Sequence, residues 1–173
     1  MRTNLPVPST VYQSRLIWNA RRPGTLVIAC SDGRLQETLD EFLGGHLGVT
    51  RYDRLYMPGG PGALTPSGIE YLRSDLFRRE CAFLVESHDI DDVILIFHGA
   101  EPVNGPPEAT CADYRRLLPN HSTEAIFAQQ TRDARDLLHA GFGWNRRVRV
   151  RVFRCEVTAG GGIRFVAMDA IPA

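Results

Sequence analysis

The sequence contains no lysine, since all 20 of its strongly basic residues are arginine. This absence excludes a P-loop lysine, a Schiff-base lysine and any general base built on a side-chain amine. The arginines are balanced by 20 acidic residues, so the formal net charge is zero. We therefore predict no global attraction to nucleic acid or to anionic lipid.

Long hydrophobic runs are also missing. The longest, at 26–30 and 93–97, are far shorter than the ~20 residues that a membrane-spanning helix needs. Residues 1–8 contain no apolar segment of the kind found in secretory signals. We therefore expect a cytoplasmic protein without a membrane partner.

Cysteine is sparse and widely spaced, with no C-x-x-C pair among Cys30, Cys81, Cys111 and Cys155. In a chain without a secretory signal, this spacing indicates reduced thiols or metal ligands rather than a disulfide framework. We place Cys81 in a helix and Cys155 in an edge strand, and we interpret both as small buried apolar groups.

Apolar strands alternate with amphipathic helices along the chain. The pattern predicts strands at 25–30, 54–58, 92–97, 147–157 and 163–168, and helices at 35–43, 69–87 and 123–139. Continuous apolar strands alternating with helices indicate a parallel sheet covered on both faces. The glycine turn at 160–162 predicts an antiparallel hairpin at one edge. We therefore predict an α/β fold with about four parallel strands plus an antiparallel edge strand, flanked by helices.

Chemically active side chains follow the first and third predicted strands, where ligands bind in open sheets of this type. Cys30 ends the first strand, and His98 follows the third. If these strands are neighbours, the two side chains emerge ~4.8 Å apart, and a thiolate and an imidazole at that separation can share one tetrahedral zinc ion. Cys111 is the better third ligand because thiolates suit zinc, and Glu101 is the alternative.

Two charged residues lie within four positions of Cys30. Asp32 can act as a fourth ligand that closes the metal site, or it can pair with Arg34. A thiol, a carboxylate and a guanidinium within five residues at the end of a strand favour a functional site over an inert loop.

The pattern Cys30-x-Asp32-x-Arg34 resembles the C-x-D-x-R signature of the β-class carbonic anhydrases, and His98 stands where that family has a histidine at the end of its third strand. The order of helices and strands is similar over nearly the whole chain. The resemblance implies a zinc cofactor, held by Cys30 and His98 with a third residue. It also implies reversible hydration of CO₂ to bicarbonate by a zinc-bound hydroxide, so the substrate is a small molecule. Asp32 would then be the hydrogen-bond partner of that hydroxide, and Arg34 would hold Asp32 off the metal.

The chain departs from the family at two places. The family has a cysteine three residues after its histidine, where this sequence has Glu101. Either Glu101 replaces the thiolate, or residues 101–110 are an insertion and Cys111 is the displaced ligand, which we favour. The segment 58–62 also replaces the family's Arg-Asn-Ala-Gly-Asn. The chain is therefore expected to be a divergent member or relative, and the alternative is a non-catalytic or differently catalytic protein that binds a metal or a small anion on the same fold.

The length predicts one domain, or one domain plus a long arm. Residues 9–20 have the pattern of a short helix capped by Ser9 or Thr10. We expect residues 1–24 to form an N-terminal helical arm and residues 25–173 to form a single α/β zinc-binding domain. The family resemblance implies that this arm wraps around a second copy, so we expect a homodimer or a higher homo-oligomer.

Overall fold

The computed structural model describes residues 9–66, 71–139, 144 and 147–168. Its strands are β1 (Thr25–Cys30), β2 (Asp53–Met57), β3 (Asp92–Ala100), β4 (Arg149–Val157) and β5 (Ile163–Ala167). Its α-helices are α1 (Gln36–Glu41), α2 (Tyr71–Ser87), α3 (Ala112–Leu117) and α4 (Thr123–His139). Short 3₁₀ segments occupy 33–35, 60–64 and 107–109, and a wide helical turn at 42–46 extends α1. None of the described helices is both long and apolar enough to span a bilayer.

The five strands form one sheet in the order β2-β1-β3-β4-β5. The first four are parallel to one another, and β5 is antiparallel to β4. The predicted fold class is therefore confirmed. β1 and β3 are neighbours, with Ala29 opposite Ile96 at the end of their pairing, so the ends of the first and third strands lie side by side.

The core has two layers, one on each face of the sheet. Alternate residues of a strand point to opposite faces, so Leu26 and Ile28 pack with residues of α2 and α4, whereas Val27 and Ala29 pack against α1. This is why β1 is apolar from Leu26 to Cys30. The thiol of Cys81 lies fully buried in the first layer, as interpreted from the sequence.

The predicted N-terminal helix is wrong for the described part of the arm. Residues 9–24 contain no helix, whereas residues 1–8 lie outside the described residues. Ser14 accepts a hydrogen bond from the amide of Leu16 and Asn19 accepts one from the amide of Arg21, each at 3.0 Å, and such local bonds compete with a helix. Four large apolar side chains are between 81% and 93% exposed, namely Tyr12, Leu16, Ile17 and Trp18.

Other features of the strands and helices also differ from the prediction. β3 continues through His98 to Ala100 because β4 pairs with it that far. Cys155 is not in an edge strand, since β5 covers the outer side of β4. The predicted helix at 35–43 is α-helical only at 36–41, and α3 was not predicted. Positions 69–70 of the predicted second helix and positions 169–173 of the predicted domain lie outside the described residues.

Candidate metal centre

Three elements bring Cys30, His98 and Cys111 together. Cys30 ends β1, His98 lies near the end of β3, and Cys111 immediately precedes α3. All three side chains are buried, and their sulfur and nitrogen atoms lie within 4.8 Å of one another. The structure thus places Cys111 beside the two residues that the strand-end rule identified.

A turn at Gly105 allows the chain to return from β3 to this cluster. The amide of Gly105 donates to the carbonyl of Glu101 at 3.0 Å. A Cβ atom at position 105 would lie 2.2 Å from the amide nitrogen of Glu101 and 2.7 Å from the carbonyl oxygen of Val157. Only glycine fits this approach, so Gly105 makes the loop compact enough to end at Cys111.

The donor atoms fit a tetrahedral zinc ion. With bonds of about 2.3 Å to sulfur and 2.0 Å to nitrogen, such an ion spaces its ligand atoms about 3.5–3.8 Å apart. The sulfur and nitrogen atoms of the three side chains lie within 4.8 Å of one another, which is about one ångström wider than the spacing around a bound zinc ion. Nε2 of His98 is buried without a hydrogen-bond partner among the described residues, although buried polar atoms are normally paired. A bound cation would satisfy that nitrogen.

The two thiols differ in acidity. A hydrogen bond from Cys111 lowers the pKa of Cys30 to about 4, against the opposing effect of burial, and His98 lowers it further. Donation to Cys30, together with burial, raises the pKa of Cys111. Coordination of a cation by both sulfur atoms would require both thiols to lose their protons.

Asp32 is paired with Arg34 rather than directed at the cluster. Oδ1 accepts from Arg34 Nε at 2.9 Å, and Oδ2 accepts from Nη2 at 2.6 Å. The guanidinium hydrogen bonds hold the pKa of Asp32 down to about 2. Arg34 Nη1 also reaches the carbonyl of Glu108 at 3.4 Å, which ties this ion pair to the loop before Cys111. Of the two expectations for Asp32, the structure favours the pair with Arg34.

Glu101 is engaged elsewhere. Its Oε1 accepts from Arg164 Nη2 at 2.8 Å, and it is not a member of the cluster that could hold a metal. The carboxylate is thus part of an ion pair with β5 and lies outside the group of residues that could hold a metal.

A cavity of about 310 Å³ opens beside the cluster. Asp32, Arg34 and His98 contribute its polar edge. The remaining wall is mainly apolar, formed by Leu35, Pro106, Ala109, Val157 and Ile163, with Glu108 and Gly161 completing the lining. The Asp32–Arg34 ion pair therefore stands at the edge of a mainly apolar cavity that His98 also lines.

The glycine-rich segment that replaces the family's second-strand motif forms a tight turn. Gly60 has φ +56°, and a Cβ atom there would lie 2.8 Å from the amide nitrogen of Cys30. The segment thus packs directly against the end of β1. It supports the backbone that carries Cys30.

A buried polar network behind β3 was not predicted from the sequence. Gln130, Arg154 and Glu156 are each at most 3% exposed, and Gln130 donates to the carbonyl of His98 at 2.9 Å. Opposite charges two positions apart in a predicted strand, as in Arg154 and Glu156, share one face. That pattern was the available signal.

Comparison with known proteins finds similarity at the level of structure. No protein-family model matches the chain, and no curated protein is a significant match. The chain is similar to the carbonic anhydrase of Glaciozyma antarctica, with a TM-score of 0.46 and 15% identity over 85% of this chain and 82% of that one. It is also similar to the β-carbonic anhydrase of Aspergillus fumigatus, with a TM-score of 0.43 and 18% identity over 88% and 78% of the two chains.

A third similar structure belongs to tetrameric β-carbonic anhydrases of Sordaria macrospora. Its TM-score is 0.40, with 15% identity over 84% of this chain and 81% of that one. These three structures are all carbonic anhydrases, the family whose signature the sequence resembles. Such low identities and TM-scores carry no conclusion about activity, which depends on the residues of the site.

Proposed function

We propose that this protein is a zinc-dependent, carbonic anhydrase-like enzyme that interconverts CO₂ and bicarbonate. The observation that carries the proposal is the buried Cys30–His98–Cys111 cluster, in which Nε2 of His98 has no hydrogen-bond partner among the described residues. Two thiolates and an imidazole form a ligand set typical of zinc and leave a fourth position open for catalysis.

The residues around the cluster fit this chemistry. A zinc ion in such a site lowers the pKa of a bound water from 15.7 to about 7. Asp32 has a pKa of about 2, so its carboxylate is ionised at neutral pH. It can therefore accept a hydrogen bond from a reacting hydroxyl group. Arg34 holds both carboxylate oxygens, which keeps Asp32 from binding the metal. Asp32 and Arg34 are the proposed catalytic residues.

The apolar wall of the cavity suits an uncharged reactant. Leu35, Val157 and Ile163 line the approach to His98, and an apolar lining excludes competing water from the path of CO₂. Arg34 and its partner Asp32 lie at the polar edge of the same cavity.

Stopped-flow CO₂ hydration tests the proposal. We expect the zinc-loaded protein to accelerate hydration, and His98→Ala to abolish the acceleration together with metal binding. His88→Ala is a matched control, because that histidine pairs with Asp53 at 2.7 Å instead. A zinc-loaded protein with no acceleration over free zinc would contradict the proposed reaction.

A second candidate follows from the size of the cavity. Its volume of about 310 Å³ lies at the lower end of the about 300–1,000 Å³ typical of pockets for larger organic ligands. The alternative is therefore a metal-dependent protein that acts on a larger electrophile or binds a small anion. Metal-dependent hydrolysis of a nitrophenyl ester without CO₂ hydration would favour this alternative.

We also propose that residues 1–24 act as an arm on the 25–173 domain, and that the arm joins two copies in a homodimer or a higher homo-oligomer. The support is the exposure of its apolar side chains Leu16 and Trp18, at 87% and 88%. All four cysteines are free and buried, which suits a reducing, cytoplasmic compartment. No nucleic-acid or membrane partner is proposed.

A further inference from the structure

A charged network lies behind the end of β3, on the face of the sheet opposite the His98 imidazole. Arg154 is the register partner of Phe97, and both side chains point to the face covered by α4, whereas His98 points to the other face. The Arg154 guanidinium is 1% exposed, and an unpaired charge at that depth would be costly. The network must therefore compensate it.

The network holds the backbone of β3 at two carbonyl groups. Gln130 Nε2 donates to the carbonyl of His98 at 2.9 Å, and Arg154 Nη2 donates to the carbonyl of Ala100 at 2.8 Å. The two contacts form one unit, because Arg154 Nε donates to Gln130 Oε1 at 2.9 Å.

These carbonyls need side-chain donors because a neighbouring strand has ended. The amide of Glu101 bonds to Val157 of β4, so the alternate residues His98 and Ala100 direct their backbone groups to the other side. On that side, β1 pairs with β3 only as far as Ile96. Gln130 and Arg154 thus occupy the hydrogen-bonding position that a strand would otherwise fill.

A glycine makes this arrangement possible. A Cβ atom at Gly99 would lie 2.8 Å from Arg154 Nη2, so the guanidinium crosses β3 against bare backbone. Phe127 supports it from α4, with its ring centroid 4.8 Å from the guanidinium carbon.

Glu156 balances the buried charge. Its Oε1 accepts from Arg154 Nη1 at 2.5 Å, and its Oε2 accepts from Arg164 Nε at 2.9 Å. Arg164 in turn pairs with Glu101. Each of the three guanidinium nitrogens of Arg154 therefore donates to a buried acceptor, and hydrogen bonds of this kind make a buried network rigid.

We propose that Gln130 and Arg154 are positioning residues that aim the His98 imidazole at the metal. Their hold on the carbonyls either side of Gly99 fixes the backbone from which the imidazole projects. The effect of Gln130 and Arg154 on metal affinity rests on the proposed function. Their effect on the orientation of the His98 ring is independent of that function. Residues that orient a metal ligand typically change metal affinity by about 10- to 100-fold when they are replaced.

Metal affinity of Gln130→Met provides the first test. The substitution removes both contacts at similar volume, and we expect zinc and cobalt to bind about 10- to 100-fold more weakly in competition with a chromophoric chelator. We also expect a changed cobalt ligand-field spectrum. Gln129→Met is the matched control, because the Gln129 amide donates to Asp133 at 2.8 Å, and its affinity should equal that of the wild type. Equal affinity for Gln130→Met would overturn the proposal.

The metal-free protein provides a second test that does not depend on the proposed function. Long-range ¹H–¹⁵N NMR should show His98 ring signals that shift and broaden in Gln130→Met, while those of His88 stay unchanged. If the wild type binds no metal, the proposed function fails, but the NMR spectrum of the His98 ring still tests the positioning role. An unchanged His98 signal in Gln130→Met would overturn that role, and a changed signal would support it.

A third variant covers the case in which Gln130→Met does not fold. Gln130→Glu keeps an acceptor for Arg154 but loses the donor to the His98 carbonyl. We expect Gln130→Glu to show the same loss of metal affinity and the same changes in the His98 ring signals as Gln130→Met. Wild-type metal affinity together with wild-type ring signals would overturn the proposal.

Discussion

Cys111 is the residue on which the proposed ligand set depends most. It lies with Cys30 and His98, whereas Glu101 pairs with Arg164. We expect Cys111→Ser to weaken zinc binding by more than the about 10- to 100-fold that outer-shell changes cost, because it removes a ligand. Glu101→Gln should leave zinc affinity nearly unchanged in a chelator competition assay.

Cys81→Ser is the control for this comparison, since it replaces another buried thiol that does not belong to the group that could hold a metal. It should retain zinc. Loss of zinc in Glu101→Gln together with full retention in Cys111→Ser would reverse the assignment of the third ligand.

The Asp32–Arg34 pair yields a prediction about acidity. Arg34→Gln removes the guanidinium hydrogen bonds and should raise the pKa of Asp32 from about 2 towards its ordinary 3.8. Carboxyl ¹³C NMR titration of the two proteins measures this shift. An Asp32 that titrates at the same pH in both would contradict the role of Arg34.

The same shift sets a direction for stability. Because the folded pKa of Asp32 is depressed, its contribution is present above pH 3.8 and is lost as the pH falls through about 2. Arg34 is 62% exposed, and solvent screening limits the contribution to under about 1 kcal/mol. The wild type and Arg34→Gln should therefore differ slightly in free energy of unfolding at neutral pH and converge in strong acid.

Among the helices and strands, those with a clear hydrophobic periodicity and a clear first residue could be predicted from the sequence. β1 and α4 have the predicted bounds. In α4, the hydroxyl of Ser122 accepts from the amide of Ala125 at 3.2 Å, which is the capping pattern that marks a helix start. The tight glycine turn likewise predicted the β4–β5 hairpin.

Elements that depend on distant partners could not be predicted. His98, Gly99 and Ala100 have no local strand pattern, and they extend β3 because β4 and the Gln130–Arg154 network pair with them. α3 has only six residues and follows a proline-rich loop. Short elements of this kind are set by tertiary contacts more than by local propensity.

The residues of the candidate site likewise fall into those that could be predicted from the sequence and those that could not. The positions of Cys30, Asp32 and His98 at adjacent strand ends followed from the rule for open sheets. The return of Cys111 depends on how the loop 101–110 folds at Gly105, and the sequence left it open against Glu101. The pairing of Gln130 with Arg154 joins two elements 24 positions apart, and no local pattern reveals it.

The turn that supports β1 is testable through Gly60. Gly60→Ala places a Cβ atom 2.8 Å from the Cys30 amide at a φ of +56°, and we expect it to lower the free energy of unfolding by at least about 1 kcal/mol. Gly44→Ala is the control, because nothing lies within 4 Å of its Cβ position. Urea denaturation measures both, and equal stability of the two variants would contradict this role for the turn.

At the scale of the whole molecule, several exposed apolar side chains of the described residues group in two regions. One is the arm described above, and the other is the outer face of α2, where Leu72, Leu76 and Phe83 are 84%, 54% and 62% exposed. Exposed apolar surface of this extent is typical of an interface. It supports the proposed self-association through the arm.

Removal of the arm tests this proposal. We expect the full chain to be a dimer or larger in light scattering at micromolar concentration, and a variant lacking residues 1–24 to dissociate towards a monomer. The variant should keep its far-ultraviolet circular dichroism, because the described part of the arm, 9–24, contributes no helix or strand. A monomeric full chain would contradict the proposed assembly.

X-ray absorption spectroscopy of the zinc-loaded protein tests the proposed metal centre most directly, because it counts the ligand atoms. The buried cluster of Cys30, His98 and Cys111 predicts two sulfur atoms at about 2.3 Å and one imidazole nitrogen at about 2.0 Å from the metal, with a light atom in the fourth position. A zinc ion with fewer than two sulfur neighbours, or a protein that retains no zinc, would contradict the account.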